Sequence, residues 1–120
     1  MKVKPKKTSD ELVLTMVGLQ YRMKQEARKV LAHVVDSEDG IECKLVPEPT
    51  NPVDPKAVKV VGVDVDQYRY TNVHLGYINR PVNEKLFDAI MGGIRVLSCY
   101  LTWVDPEQGE GELTVTLAKV

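Results

Sequence analysis

Long apolar runs, cysteines and a surplus of either charge are all scarce in this 120-residue chain, and each scarcity closes off a class of answers. No stretch approaches the ~20 apolar residues that cross a bilayer, so no membrane partner is expected. The charged start MKVKPKK is not followed by a signal-peptide core, and a cytoplasmic location is the matching expectation. Two cysteines, Cys43 and Cys99, are too few for a disulfide framework and cannot build a zinc cluster alone. Both stand among aliphatics in strand-like segments and read as buried structural thiols rather than nucleophiles. The two histidines, His33 and His74, have no neighbouring ligand in the sequence, so no metal is expected. Sixteen Lys and Arg against 17 Asp and Glu give a net charge of −1, which excludes a basic coat for nucleic acid. Any nucleic-acid contact must then come from a small local site. There is no GxSxG, no GxxxxGK[ST], no GxGxxG and no carboxylate pair on one rigid element. Neither an enzyme nor a cofactor is expected.

What is present suits one globular domain. Hydrophobic residues at 43% and charged residues at 28% argue against disorder. A chain of this mass buries roughly two-thirds of its unfolded surface. Met1 to Asp10 is Lys-rich and reads as a flexible tail, with one domain over 11–120. Glu11 to Leu19 alternates through Leu12, Leu14 and Met16 and predicts a strand. Met23, Ala27, Val30, Leu31 and Val34 form a helical stripe that the turn cluster Asp36 to Gly40 ends. Ile41 to Val46 alternates again. Pro47, Pro49, Pro52 and Pro55 then deny helix and ladder pairing and predict a stiff, shaped loop. Further strands are expected over Ala57 to Val65, Val73 to Ile78, Ile94 to Val104 and Glu112 to Val120. Asp66 to Asn72 reads as a polar connection, and Gly76 marks a bulge or close approach. Pro81 suits the first turn of a second helix whose apolar face is Leu86, Phe87, Ile90 and Met91. Six strands and two helices predict a mainly β fold, a small modified OB-like β-barrel.

The residues left for function are aromatics and cations at strand exits. Tyr21 follows the first strand, Tyr77 and Arg80 flank Ile78, and Trp103 ends the fifth strand. An aromatic face stacks on an unpaired base for about 1–3 kcal/mol, and a guanidinium grips phosphate. The plainer reading is that Tyr77 and Trp103 cap the core with wet polar tips. Asp54, on the proline-stiffened loop, attracts a hydroxyl and repels a phosphate. Its plainer role is a local turn bond to backbone N–H groups, and Asn51 reads first as a turn residue.

The stretches VGLQYR (Val17 to Arg22), EPTNPVDPKAVKV (Glu48 to Val60) and LGYINR (Leu75 to Arg80) together resemble the HIRAN domain family. That resemblance implies an OB-like barrel which, in fork-reversing DNA-remodelling ATPases, captures the 3′ end of single-stranded DNA. It implies a stand-alone member of the bacterial or phage type, active in DNA repair, replication or mobile-element processing. By motif position Tyr21 would stack on the terminal base and Asp54 would accept a hydrogen bond from the 3′-hydroxyl. Tyr77 and Arg80 would lie at the phosphate, and Trp103 would be a C-terminal aromatic. Two positions depart from the pattern. Gln20 stands where end-binding members carry Arg, which removes a phosphate contact and flattens salt dependence. Val53 replaces a Tyr and removes a stacking plane. The competing expectation is a protein–protein adaptor that delivers a nuclease or helicase partner, or a homodimer, with an edge strand such as Glu112 to Val120 pairing with another chain.

Overall fold

The computed structural model describes residues 9–63 and 72–118. The tail expected over Met1 to Asp10 therefore lies outside the described residues, except that Ser9 and Asp10 already belong to the first strand. Six strands occur among the described residues: β1 (Ser9–Val17), β2 (Ile41–Glu48), β3 (Ala57–Gly62), β4 (Val73–Ile78), β5 (Val96–Asp105) and β6 (Glu110–Ala118). Two helices, α1 (Gln25–Ser37) and α2 (Val82–Met91), join them, with a single 3₁₀ turn over Leu19–Tyr21. The strands close into an antiparallel barrel in the order β1-β4-β3-β2-β5-β6. The small mainly β barrel expected from hydrophobic patterning is what forms.

Alternation explains the closure. Leu14 of β1 pairs with Leu113 of β6, and Leu113 pairs with Leu101 of β5, so one inward row crosses three strands. Leu101 and Leu113 are fully buried, as are Val58 and Val60 of β3. Burying each such side chain favours the folded state by about 1.5–3 kcal/mol. In α1, Leu31, Val34 and Val35 enter this core. Val30, expected in that stripe, is instead exposed, because the buried face runs one residue further along. In α2 the buried positions are Asn83, Leu86 and Phe87, with Ile90 packed at the core's margin. Met91, expected on that face, points to solvent.

Three further expectations are corrected. Pro47 lies inside β2 opposite Val58, although proline was expected to bar pairing. Beyond Glu42 the strand has only β3 beside it, since its pairing with β5 stops at Ile41 and Glu42. A strand with one neighbour tolerates a residue with no N–H. β3 ends at Gly62 and Val63 is already out of the strand, while the rest of the expected strand, Asp64 and Val65, and the connection placed at Asp66 to Asn72, up to residue 71, lie outside the described residues. Finally, β6 is no edge: β1 pairs along one side and β5 along the other. Strand addition along β6 has nowhere to occur.

Gly76 is needed for closure. A Cβ there would collide with the backbone carbonyl of Val17 and crowd Met16, where β4 crosses β1. Opposite Val60 and Val61, β4 carries one extra residue, Leu75, so the bulge expected near Gly76 is present.

Candidate functional site

Three segments converge where β1, β2 and β4 run out. The first is the proline loop, which two side chains hold in shape. Asn51 Oδ1 accepts hydrogen bonds from the Val53 and Asp54 amides at 2.9 and 3.0 Å. Asp54 Oδ1 accepts one from the Lys56 amide at 2.9 Å. These are successive Asx turns, and they leave Val53 almost fully exposed at the loop's tip. The second segment leaves β1 through Gly18, whose positive φ of 91° turns the chain into the 3₁₀ turn bearing Tyr21. The third is the exit of β4: Tyr77, then Asn79, whose amide bonds to the Thr15 carbonyl, then Arg80.

Between these segments lies a cleft of about 730 Å³. Tyr21, Asp54, Tyr77 and Arg80 all line it. Gln20 and Trp103 do not. Gln20 lies over the β5–β6 turn, where a Cβ on Gly109 would strike it, and Trp103 projects from the outer face of β5 beside Glu112. Arg22, Asn51, Val53 and Asn83 line the cleft as well. Arg22 closes the VGLQYR stretch, where nothing in the sequence marks it out. Asn83 had one available signal: it occupies the i−3 position of an apolar helical stripe, where a polar residue needs a reason.

Asp54 is the most engaged group in the cleft. Its Oδ2 accepts from Asn83 Nδ2 at 2.9 Å and meets Arg80 Nε at 3.2 Å. With the Lys56 amide on Oδ1, three of a carboxylate's roughly four acceptor positions are filled. Room for about one further donor remains, on an oxygen held in fixed geometry. The turn role and a cleft role thus coexist in one side chain. Asn83 is 1% exposed and also donates to the Lys56 carbonyl at 3.0 Å, which fixes the orientation of its amide. Its Oδ1 is buried without a hydrogen-bond partner among the described residues.

The second network sits behind Tyr77. The phenol donates to Glu48 Oε1 at 2.8 Å, and Asn51 Nδ2 donates to the same oxygen at 3.1 Å. Lys59 Nζ lies 3.4 Å from Glu48 Oε2. His74 meets the Tyr77 ring edge-on, with centroids 4.9 Å apart and planes at 86°. Tyr77 therefore offers the cleft its ring, since its hydroxyl proton is committed to Glu48.

Comparison with solved structures gives two matches that each cover 92% of this chain. A protein of Lactobacillus plantarum superposes with a TM-score of 0.64 at 23% identity, over 92% of this chain and 99% of that one. The HIRAN domain of human HLTF superposes with a TM-score of 0.65 at 16% identity, over 92% of this chain and 78% of that one. The fold is that of a HIRAN domain. No protein-family model and no curated protein sequence matches the chain. The likeness is therefore one of fold, and the site stands on its own geometry.

Electrostatics in this cleft set two cations, Arg22 and Arg80, beside a fixed carboxylate. The Lys56 amide, opposed by burial but helped by Asn83 and Arg80, holds the Asp54 carboxyl below its ordinary range. At Glu48, burial pushes upward but is outweighed by the bonds from Tyr77, Asn51 and Lys59, and the net shift is downward. Burial, with the cations Arg22 and Lys59 nearby, lowers His74 and keeps it neutral at pH 7. The guanidinium of Arg80 is bound through Nε alone among the described residues and is largely exposed, so its two terminal nitrogens face outward. Arg22 has no ion pair among the described residues. No three His, Cys, Asp or Glu side chains among the described residues are grouped to hold a metal. Both thiols are deep in the barrel, and burial pushes Cys99 up to about 12.

Proposed function

We propose that the chain is a non-catalytic module that binds single-stranded DNA at a free 3′-hydroxyl end. The observation that carries this reading is the convergence of Tyr21, Asp54, Tyr77 and Arg80 on one cleft. Its volume of about 730 Å³ falls in the range of sites that enclose one small ligand. In this reading the terminal base stacks on Tyr21, whose ring is 83% exposed. The last phosphate meets the free terminal nitrogens of Arg80, with Arg22 adding charge. The 3′-hydroxyl donates to the remaining acceptor position on Asp54. A 3′-phosphate would instead bring a second anion against that carboxylate, and a continuing strand would have to pass through it. The likeness to a HIRAN domain supports nucleic acid as the ligand class, and the packed carboxylate supports the preference for a hydroxyl.

Fluorescence anisotropy with oligonucleotides ending in 3′-hydroxyl, 3′-phosphate or an internally blocked terminus tests it. The hydroxyl end binds most tightly, and Asp54→Ala brings the three affinities together. Equal affinity of the unaltered protein for all three ends removes the end-recognition claim. An Asp54→Ala variant that melts earlier but keeps its preference reduces Asp54 to a turn residue.

A further inference from the structure

The opposite charge pattern occupies a different part of the barrel. β1, β5 and β6 contain no lysine or arginine between them. Their register sets outward side chains in adjoining rows. Val13, Thr114 and Tyr100 form one row that Glu42 of β2 continues, and Thr15, Glu112 and Trp103 form the next. A third row adds Glu11 beside Thr116. Tyr100 and Trp103 are 44% and 47% exposed, and Val13 is more so. Neither ring has a hydrogen bond or ring partner among the described residues, and neither Glu11, Glu42 nor Glu112 has an ion pair there. Lys44 follows on β2, but beyond the point where that strand still pairs with β5.

Two exposed rings in a field of unpaired carboxylates repel phosphate and attract cations. A Lys or Arg head placed over Trp103 or Tyr100 gains cation–π attraction, and the glutamates beside it supply the opposite charge. We infer that the outer face of β1, β6 and β5 docks a Lys/Arg-bearing segment of a partner protein, separately from the cleft. A nucleic acid is excluded from this face by the same carboxylates. An aromatic centre with a charged border is also the usual anatomy of an exposed protein-binding patch.

Trp103 is the only tryptophan in the chain and reports on this face directly. The full chain is titrated at low salt with a hexa-arginine peptide, a hexa-glutamate peptide and a single-stranded oligonucleotide, following tryptophan emission. Hexa-arginine changes the emission saturably and loses affinity as salt rises, and hexa-glutamate leaves it unchanged. Glu112→Lys combined with Glu11→Lys weakens the peptide at least tenfold, whereas Glu84→Lys on α2 does not. Where the double variant melts early, Tyr100→Ser with a labelled hexa-arginine peptide reads the same loss by anisotropy. No saturable change with hexa-arginine overturns the inference, as does equal weakening by Glu84→Lys. Direct binding of the oligonucleotide at Trp103 overturns it in favour of a nucleic-acid surface. Concentration-dependent self-association in sedimentation, with a matching change in Trp103 emission, overturns it in favour of a second copy of the chain.

Discussion

The cleft and the outer face of β5 and β6 use similar residue types to opposite ends. In the cleft, polar groups are tied before any ligand arrives: Asp54 to Lys56, Asn83 and Arg80, and Tyr77 to Glu48. On the outer face Tyr100, Trp103 and Glu112 stand untied among the described residues. Pre-formed hydrogen bonds lower the entropic cost of ordering a site and select ligands by shape and donor pattern. A loose field of charge and rings selects only by sign. Under the two proposals the barrel separates a discriminating site from a tolerant one, and the hydrogen bonds of the proline loop supply the difference. Pro49, Pro52 and Pro55 frame a loop whose side chains are already committed, whereas the β5–β6 face is ordinary pleated strand.

The sharpest way to break this contrast is Arg80→Ala. A charge-assisted hydrogen bond is worth about 1.5–3 kcal/mol, so every single-stranded DNA should lose roughly 10- to 150-fold in affinity. Its log–log salt slope should flatten by about 0.7 for the one phosphate contact removed. Arg80 is largely exposed in its pair with Asp54, so the melting temperature moves little. Anisotropy at several salt concentrations measures both numbers, and loss confined to one end type would contradict them.

Tyr21→Ala comes next. It should cost about 1–3 kcal/mol of DNA binding through lost stacking while leaving stability within about 0.5 kcal/mol, because the ring is almost wholly exposed. Val53→Tyr sharpens the comparison in the other direction. Val53 is 82% exposed at the cleft's rim, so an aromatic there adds a stacking plane at little folding cost. Tighter binding by up to about 1 kcal/mol is expected, below the upper range for base stacking because the new ring is not pre-ordered. Both are read from titrations run beside thermal melts.

The smallest effect concerns pH. A histidine lowered in the folded state makes the unfolded chain the better proton binder, so stability falls as pH drops through the ordinary histidine value of about 6.5. The lowered carboxyls of Glu48 and Asp54 contribute stability that is present above their ordinary values and lost as pH falls through their folded-state values. Melting temperature should therefore decline in two stages from pH 7.5 to pH 3. In a His74→Gln variant the upper stage is absent, so its gap to the unaltered protein narrows between pH 7 and pH 5.5. A widening gap there would contradict the assignment.

Much of this architecture could be read from residue patterns. Alternation at Leu12, Leu14 and Met16 and at Ile41, Cys43 and Leu45 placed strands correctly, because inward and outward sides differ in polarity all along a small barrel. Gly76 announced its tight crossing, since nothing else in that strand lacks a side chain. Harder to see were contacts that depend on how the barrel closes. Asn83 is only an odd polar residue in an apolar stripe until the proline loop is laid over α2, and Glu48 looks like a loop acid until β4 brings Tyr77 to it. Pro47 sits in a strand against its local chemistry, which does not reveal which side of a strand goes unpaired. Trp103 and Gln20 were grouped with the cleft on their residue types and motif positions, yet a strand's outer face and a packed turn took them elsewhere.

Amide-resolved NMR titration of the full chain with a short 3′-hydroxyl oligonucleotide tests the central claim most directly. The account predicts saturable shifts clustered at Tyr21, Asp54, Tyr77, Arg80 and Asn83, with Tyr100, Trp103 and Thr114 unmoved. Shifts gathered on β5 and β6 instead, or no shifts at low salt, would contradict it.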